Sequence, residues 1–113
     1  MHSRVLNALS HRQLSFVQEE NAALTYTVNW AALLDTDQVS TSTWTAEDSG
    51  LTIANENLTT DYTTARLSGD VGRYRAVNKI VTTNGDTHER YINVTIKDNT
   101  NGYAQGNDYG WIR

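Results

Sequence analysis

The chain has 113 residues and a mass of 12.6 kDa, the size of one domain with a single hydrophobic core. Its formal charge of -4 and pI near 5.2 argue against a nucleic-acid binder, because phosphate recognition needs a dense basic surface and the 9 Lys and Arg residues are scattered. Cysteine is absent, which excludes a disulfide framework, a thiolate metal site and a cysteine nucleophile. No apolar run approaches the roughly 18 residues that cross a bilayer as a helix.

Residues 1–22 read as an N-terminal arm. Val5, Leu6 and Leu9 fall at helical spacing and Leu14, Phe16 and Val17 follow, so a short helix or a docking arm is expected there. Polar residues interrupt the segment too often for the apolar region of a secretory signal, and the chain is expected to be soluble and unprocessed.

From Leu24 the period changes to two. In LTYTVNW, residues 24–30, Leu24, Tyr26, Val28 and Trp30 share one face while Thr25, Thr27 and Asn29 share the other, the pattern of a strand with one buried side. AALLDTD then predicts a turn or one helical turn, with Leu33 or Leu34 under the sheet and Asp35 and Asp37 towards solvent. A second strand is expected over 39–45, where Trp44 offers the largest apolar surface available to a small core. The third and fourth span about 51–56 and 62–67, and SGDVG at 68–72 is turn chemistry. Tyr74, Ala76, Asn78 and Ile80 share a face of the fifth, and Ile92, Val94 and Ile96 share a face of the sixth. Between these two, Asn84-Gly85 is a hairpin signal, read as a type I′ turn with both central residues at positive φ.

Six strands about ten residues apart, without a convincing internal helix, predict an all-β, Ig-like antiparallel β-sandwich over 23–97; a small barrel is the alternative. The segment 98–113 reads as a Gly/Asn-rich C-terminal tail, in which Tyr103, Tyr109 and Trp111 suit anchoring on a partner surface.

Reactive constellations are few. Of the 3 histidines, His2 and His11 fall in the arm, and His88 follows the hairpin turn, where a solvent-facing strand position is expected. No GxSxG elbow frames a serine. Glu19-Glu20, Glu47-Asp48 and Asp35/Asp37 fall in predicted turns or termini, where solvated charge is the expected state. KDNTNG at 97–102 matches three places of a calcium loop but puts Lys97 at the first ligand position, so a turn explains it better. Phosphate-loop and dinucleotide fingerprints are missing, and the sequons at Asn57 and Asn93 have no secretory context. No enzyme, metal or cofactor is expected.

Two segments, YTVNWAALLDTDQVSTSTWTAEDSGLTI at 26–53 and GRYRAVNKIVTTNGDTHERYINVTI at 72–96, carry a resemblance. Through Tyr26, Asn29, Trp30, Trp44, Gly50, Leu51, Tyr74, Asn78, Gly85 and Arg90 the chain resembles the small tailed-bacteriophage virion proteins with an Ig-like fold known as fiber-tail adaptors. Relatives commonly have Asp where Asn29 stands, and the arm and tail lie outside the likeness. The resemblance implies a non-enzymatic virion protein that joins the tail or portal region to tail fibers, present in several copies in a symmetric assembly, with other virion proteins as partners. A capsid decoration protein on the phage head is the alternative. A soluble carbohydrate- or protein-binding sandwich and a small hydrolase are more distant readings. Val5, Leu6, Leu9, Phe16, Tyr103, Tyr109 and Trp111 are the candidate interface residues.

Overall fold

The computed structural model describes residues 4–9 and 14–98. These form eight strands and one helical turn: β1 (Val5–Asn7), β2 (Leu14–Glu19), β3 (Leu24–Asn29), α1 (Ala31–Leu34), β4 (Val39–Ala46), β5 (Leu51–Leu58), β6 (Tyr62–Gly69), β7 (Gly72–Thr82) and β8 (Thr87–Lys97). One sheet has the order β1-β3-β6-β5 and the other β2-β8-β7-β4. The three-strand run β3-β6-β5 facing β8-β7-β4 is the strand order of an immunoglobulin-type sandwich.

The period-two residues of β3, β6, β7 and β8 meet between the sheets. Tyr26, Val28 and Trp30 pack there with Ala65, Leu67, Ala76, Ile80, Ile92, Val94 and Ile96, and Leu34 of α1 closes one end. Burying a side chain of this size stabilises by roughly 1.5–3 kcal/mol, so the alternation legible in the sequence is also the main energetic term of the fold.

Two expectations are corrected. The N-terminal segment, where it is described, is neither a helix nor an arm reaching to another surface: β1 pairs in parallel with β3 (Val5↔Thr27, Asn7↔Asn29), and β2 pairs in parallel with β8 (Leu14↔Ile92, Glu19↔Lys97). Helical spacing of a few apolar residues is a weak signal beside two open sheet edges that offer main-chain partners, and Leu6 fills the core from β1.

The hairpin is present, but its turn is not type I′. Only Gly85 has positive φ, at 88°; Asn84 does not. Gly85 N donates to Thr82 O at 2.9 Å and Thr82 N to Asp86 O at 2.8 Å, which makes a three-residue loop with a left-handed glycine at its end. The extra residue has a tertiary cause. Thr83 N donates to Gln38 O at 2.9 Å, while the Asp37 carboxylate accepts from Thr83 Oγ1 at 2.6 Å and Asn84 N at 3.3 Å. The loop is thus fastened to the segment before β4.

Candidate functional site

The chemistry-bearing side chains converge between the sheets. Trp30, the residue between β3 and α1, donates its indole N–H to Thr63 Oγ1 (2.9 Å) and to Asn78 Oδ1 (3.2 Å). Thr63 on β6 donates its hydroxyl to the same Asn78 oxygen, and Asn78 Nδ2 donates to Ser42 Oγ at 2.9 Å and Thr43 O at 3.3 Å on β4. Trp30 and Thr63 belong to one sheet, Asn78, Ser42 and Thr43 to the other. Antibody-type domains join their sheets here with a disulfide; this cysteine-free chain joins them with a buried hydrogen-bond network. Such a network specifies one register, because a slipped strand would leave buried donors unpaired.

Two further clasps cross between sheets. Gln18 of β2, buried, donates to Leu67 O and Ala22 O at 3.1 Å each and accepts from Tyr26 Oη at 2.7 Å. Burial raises the Tyr26 pKa, with nearby Arg4 opposing the effect, so the phenol stays a donor. Arg90 of β8 lies over the Trp30 ring, 5.6 Å from its centroid, and donates from Nε to Ala8 O at 2.8 Å. Burial lowers its pKa, and the ring and carbonyl provide the compensation for a cation held away from water. His88, expected to face solvent, is half-buried with its ring 6.2 Å from that of Trp30; the indole gives this polar residue an apolar wall that alternation alone does not predict.

Tyr74, at the start of β7, donates its hydroxyl to Asp70 O at 2.7 Å, the tyrosine corner of immunoglobulin-like sandwiches. Gly50 is its counterpart: a Cβ there would meet Tyr74 Oη at 2.7 Å, so any side chain would push the ring off its acceptor.

The predicted interface residues are dispersed. Val5 and Leu9 are 40% and 56% exposed, whereas Leu6 is 2% exposed and faces the core. Phe16 packs edge-on against Tyr26, ring centroids 5.2 Å apart. Tyr103, Tyr109 and Trp111 lie outside the described residues, as does most of the KDNTNG stretch. Among the described residues no three His, Asp or Glu side chains are grouped to hold a metal ion, and no helix is long and apolar enough to cross a membrane.

The outer face of the second sheet carries an open groove of about 730 Å³ lined by Ser15, Val17, Arg73, Arg75, Asn93 and Lys97. Arg75 lies 5.1 Å over the Tyr91 ring and 3.8 Å from Glu47, an exposed and loose ion pair. Sequence reasoning missed both this face and the Asn78 network. Asn78 alone among the inward positions of its strand is a polar amide, and that was the available signal.

A search of curated proteins returns no match. Among solved structures, the PKD domain from KIAA 1837 protein is similar over 92% of this chain and 87% of that one, at 15% identity and a TM-score of 0.51, a likeness of fold. The cysteine protease inhibitor EhICP2 from Entamoeba histolytica is similar at 8% identity and a TM-score of 0.48, over 83% of this chain and 94% of that one. The family model described as podophage GP4 fiber-tail adaptor protein gp77 matches residues 18–95, from the Gln18 clasp into the last strand of the closing hairpin. On that match, which covers most of the sandwich, the chain belongs to the podophage fiber-tail adaptor family.

Proposed function

We propose that the protein is a non-enzymatic structural component of a podophage virion, an adaptor that joins the tail or portal region to the tail fibers. The family match over residues 18–95 carries the reading. The geometry supports it, because the buried polar side chains serve to lock one sheet on the other: Trp30, Thr63 and Asn78 in the centre, Gln18 at one side. A sandwich so fastened is a rigid spacer, and its docking chemistry lies at the ends of the chain, in Val5 and Leu9 and in Tyr103, Tyr109 and Trp111. The family description favours the tail over the decorated head.

Deleting residues 103–113 tests it. Purified protein should keep its β-type circular dichroism and a cooperative melt, while phage assembled with the truncated chain should carry little or none of it and lack fibers. Normal incorporation and normal fibers would remove the tail from the docking role.

A further inference from the structure

Among the described residues the sheets have four edge strands, and three are poor templates for pairing. β1 offers only three residues, β5 is broken by a register shift between Ala54 and Asn57 with Asn55 at φ 52°, and β2 ends in a charge at Glu19. After its own register shift near Ser40, β4 runs from Thr41 to Ala46 without charge, proline or interruption. An edge of this kind invites an added strand.

The edge carries a stand-in for such a strand. Trp44 N points away from β7 and donates to a carboxylate oxygen of Glu56 at 3.3 Å, where the carbonyl of a paired chain would sit. Ser42 and Ala46, two residues to either side, turn their main chains the same way. Beside them opens a slot of about 280 Å³ lined by Ser42, Glu56, Asn57 and Leu58, the last 43% exposed. The indole N–H of Trp44, itself 5% exposed, finds no acceptor among the described residues.

We propose that residues 109–113 of a second copy of this chain add to β4 as a fifth, antiparallel strand. The inference rests on the adaptor reading in taking copies to stand side by side. In YGWIR, Tyr109, Trp111 and Arg113 alternate, so in an extended chain they share a face. With Arg113 opposite Ser42, Trp111 lies opposite Trp44 and Tyr109 opposite Ala46. The aromatic rings then cover the seam beside Leu58, an incoming carbonyl takes the Trp44 N–H, and the displaced Glu56 carboxylate meets the Arg113 guanidinium.

Reach and direction agree. Ala46 pairs with Ala76, and Ala76 with Ile92, so the Ala46 end of β4 lies on the side of the molecule where β8 runs out at Lys97. A tail approaching from there runs antiparallel to β4. Residues 99–108 span up to about 33 Å when extended, against sheet strands about 4.8 Å apart. Returned to its own β4 the tail would link nothing; donated to a neighbour it joins one copy to the next, and a head-to-tail contact of this kind repeats around a ring.

The 113-residue chain contains no cysteine, so a Thr45→Cys, Gly110→Cys double variant reports the contact cleanly; these positions face each other in the proposed register. Mild oxidation should give a ladder of covalent dimers and higher oligomers that neither single variant gives beyond the dimer. Adding Glu56→Arg should cut the ladder to less than half, and adding Arg113→Glu as well should restore it. An intrachain disulfide alone, no disulfide, or a ladder indifferent to Glu56→Arg would overturn the proposal. If the ladder fails while virions still incorporate the chain, the adaptor reading stands without this contact. A ladder from a chain that purified tails lack would instead uphold the contact and overturn the adaptor reading.

Discussion

Replacing Asn78 by alanine removes the side chain that hydrogen-bonds to Trp30 and Thr63 on one sheet and to Ser42 and Thr43 on the other. Trp30 Nε1 keeps Thr63 Oγ1 at 2.9 Å, but Thr63 loses the acceptor for its own hydroxyl, and Ser42 Oγ and Thr43 O lose their donor. A buried donor left unpaired costs about 1–3 kcal/mol, and each lost hydrogen bond about 1 kcal/mol more; the vacated volume adds a cavity term. The sum is about 3 kcal/mol or more, a large part of the roughly 5–15 kcal/mol by which a domain of this size is stable. At roughly 4–8 °C per kcal/mol, Tm followed by far-UV circular dichroism should fall by at least about 12 °C. Thr63→Val, which keeps the shape and leaves Trp30 the Asn78 oxygen at 3.2 Å, should cost about 1 kcal/mol. The two changes should be less than additive, since they dismantle one network. A Tm shift below about 4 °C for Asn78→Ala, or additive losses, would show that the network does not hold the sheets together.

Two other predictions concern the closing hairpin. Because Gly85 is left-handed and Asn84 is not, Gly85→Ala should destabilise by about 1 kcal/mol and Asn84→Ala by a few tenths; equal losses in urea melts would restore the type I′ turn. The hydroxyls of Thr82 and Thr83, with the amides of Gln38 and Asn84, push the Asp37 carboxyl down to about 2. A depressed folded pKa means that its contribution is fully present above the ordinary carboxylate range and is lost as pH falls from about 4 towards 2. The wild-type melting temperature should therefore drop more steeply over that interval than that of Asp37→Asn, and parallel curves would remove Asp37 from the anchoring of the loop.

The strands that alternate were legible because their period is a direct consequence of one buried face: Leu24 to Trp30, Tyr74 to Ile80 and Ile92 to Ile96 all turn their apolar residues into the core as the pattern requires. β1 and β2 were not, since a short strand's place is decided by the edge it finds and not by its own composition. Leu6 reads the same whether it belongs to a helix face or fills the core from an edge strand. The turn type was hidden for a related reason. Asn-Gly fixes that the chain reverses, but Asp37 and Gln38, more than forty residues earlier, decide how many residues the reversal takes.

The polar centre has no reactive group to advertise it. A nucleophile beside a base stands out in a sequence; Trp30, Thr63 and Asn78 do not, though their coincidence in one buried spot is the most specific chemistry the sandwich has. Asn78 stands among Tyr74, Ala76 and Ile80 on an inward face, and a neutral amide there is destabilising unless its donors and acceptors are all met. Meeting them requires β3, β4, β6 and β7 together, so the polar residue that weakens any wrong pairing holds the correct one. For the adaptor role proposed above, that is a functional property. A docking surface transmits force only if the two sheets behind it move as one, and here hydrogen bonds do what a disulfide does in related folds.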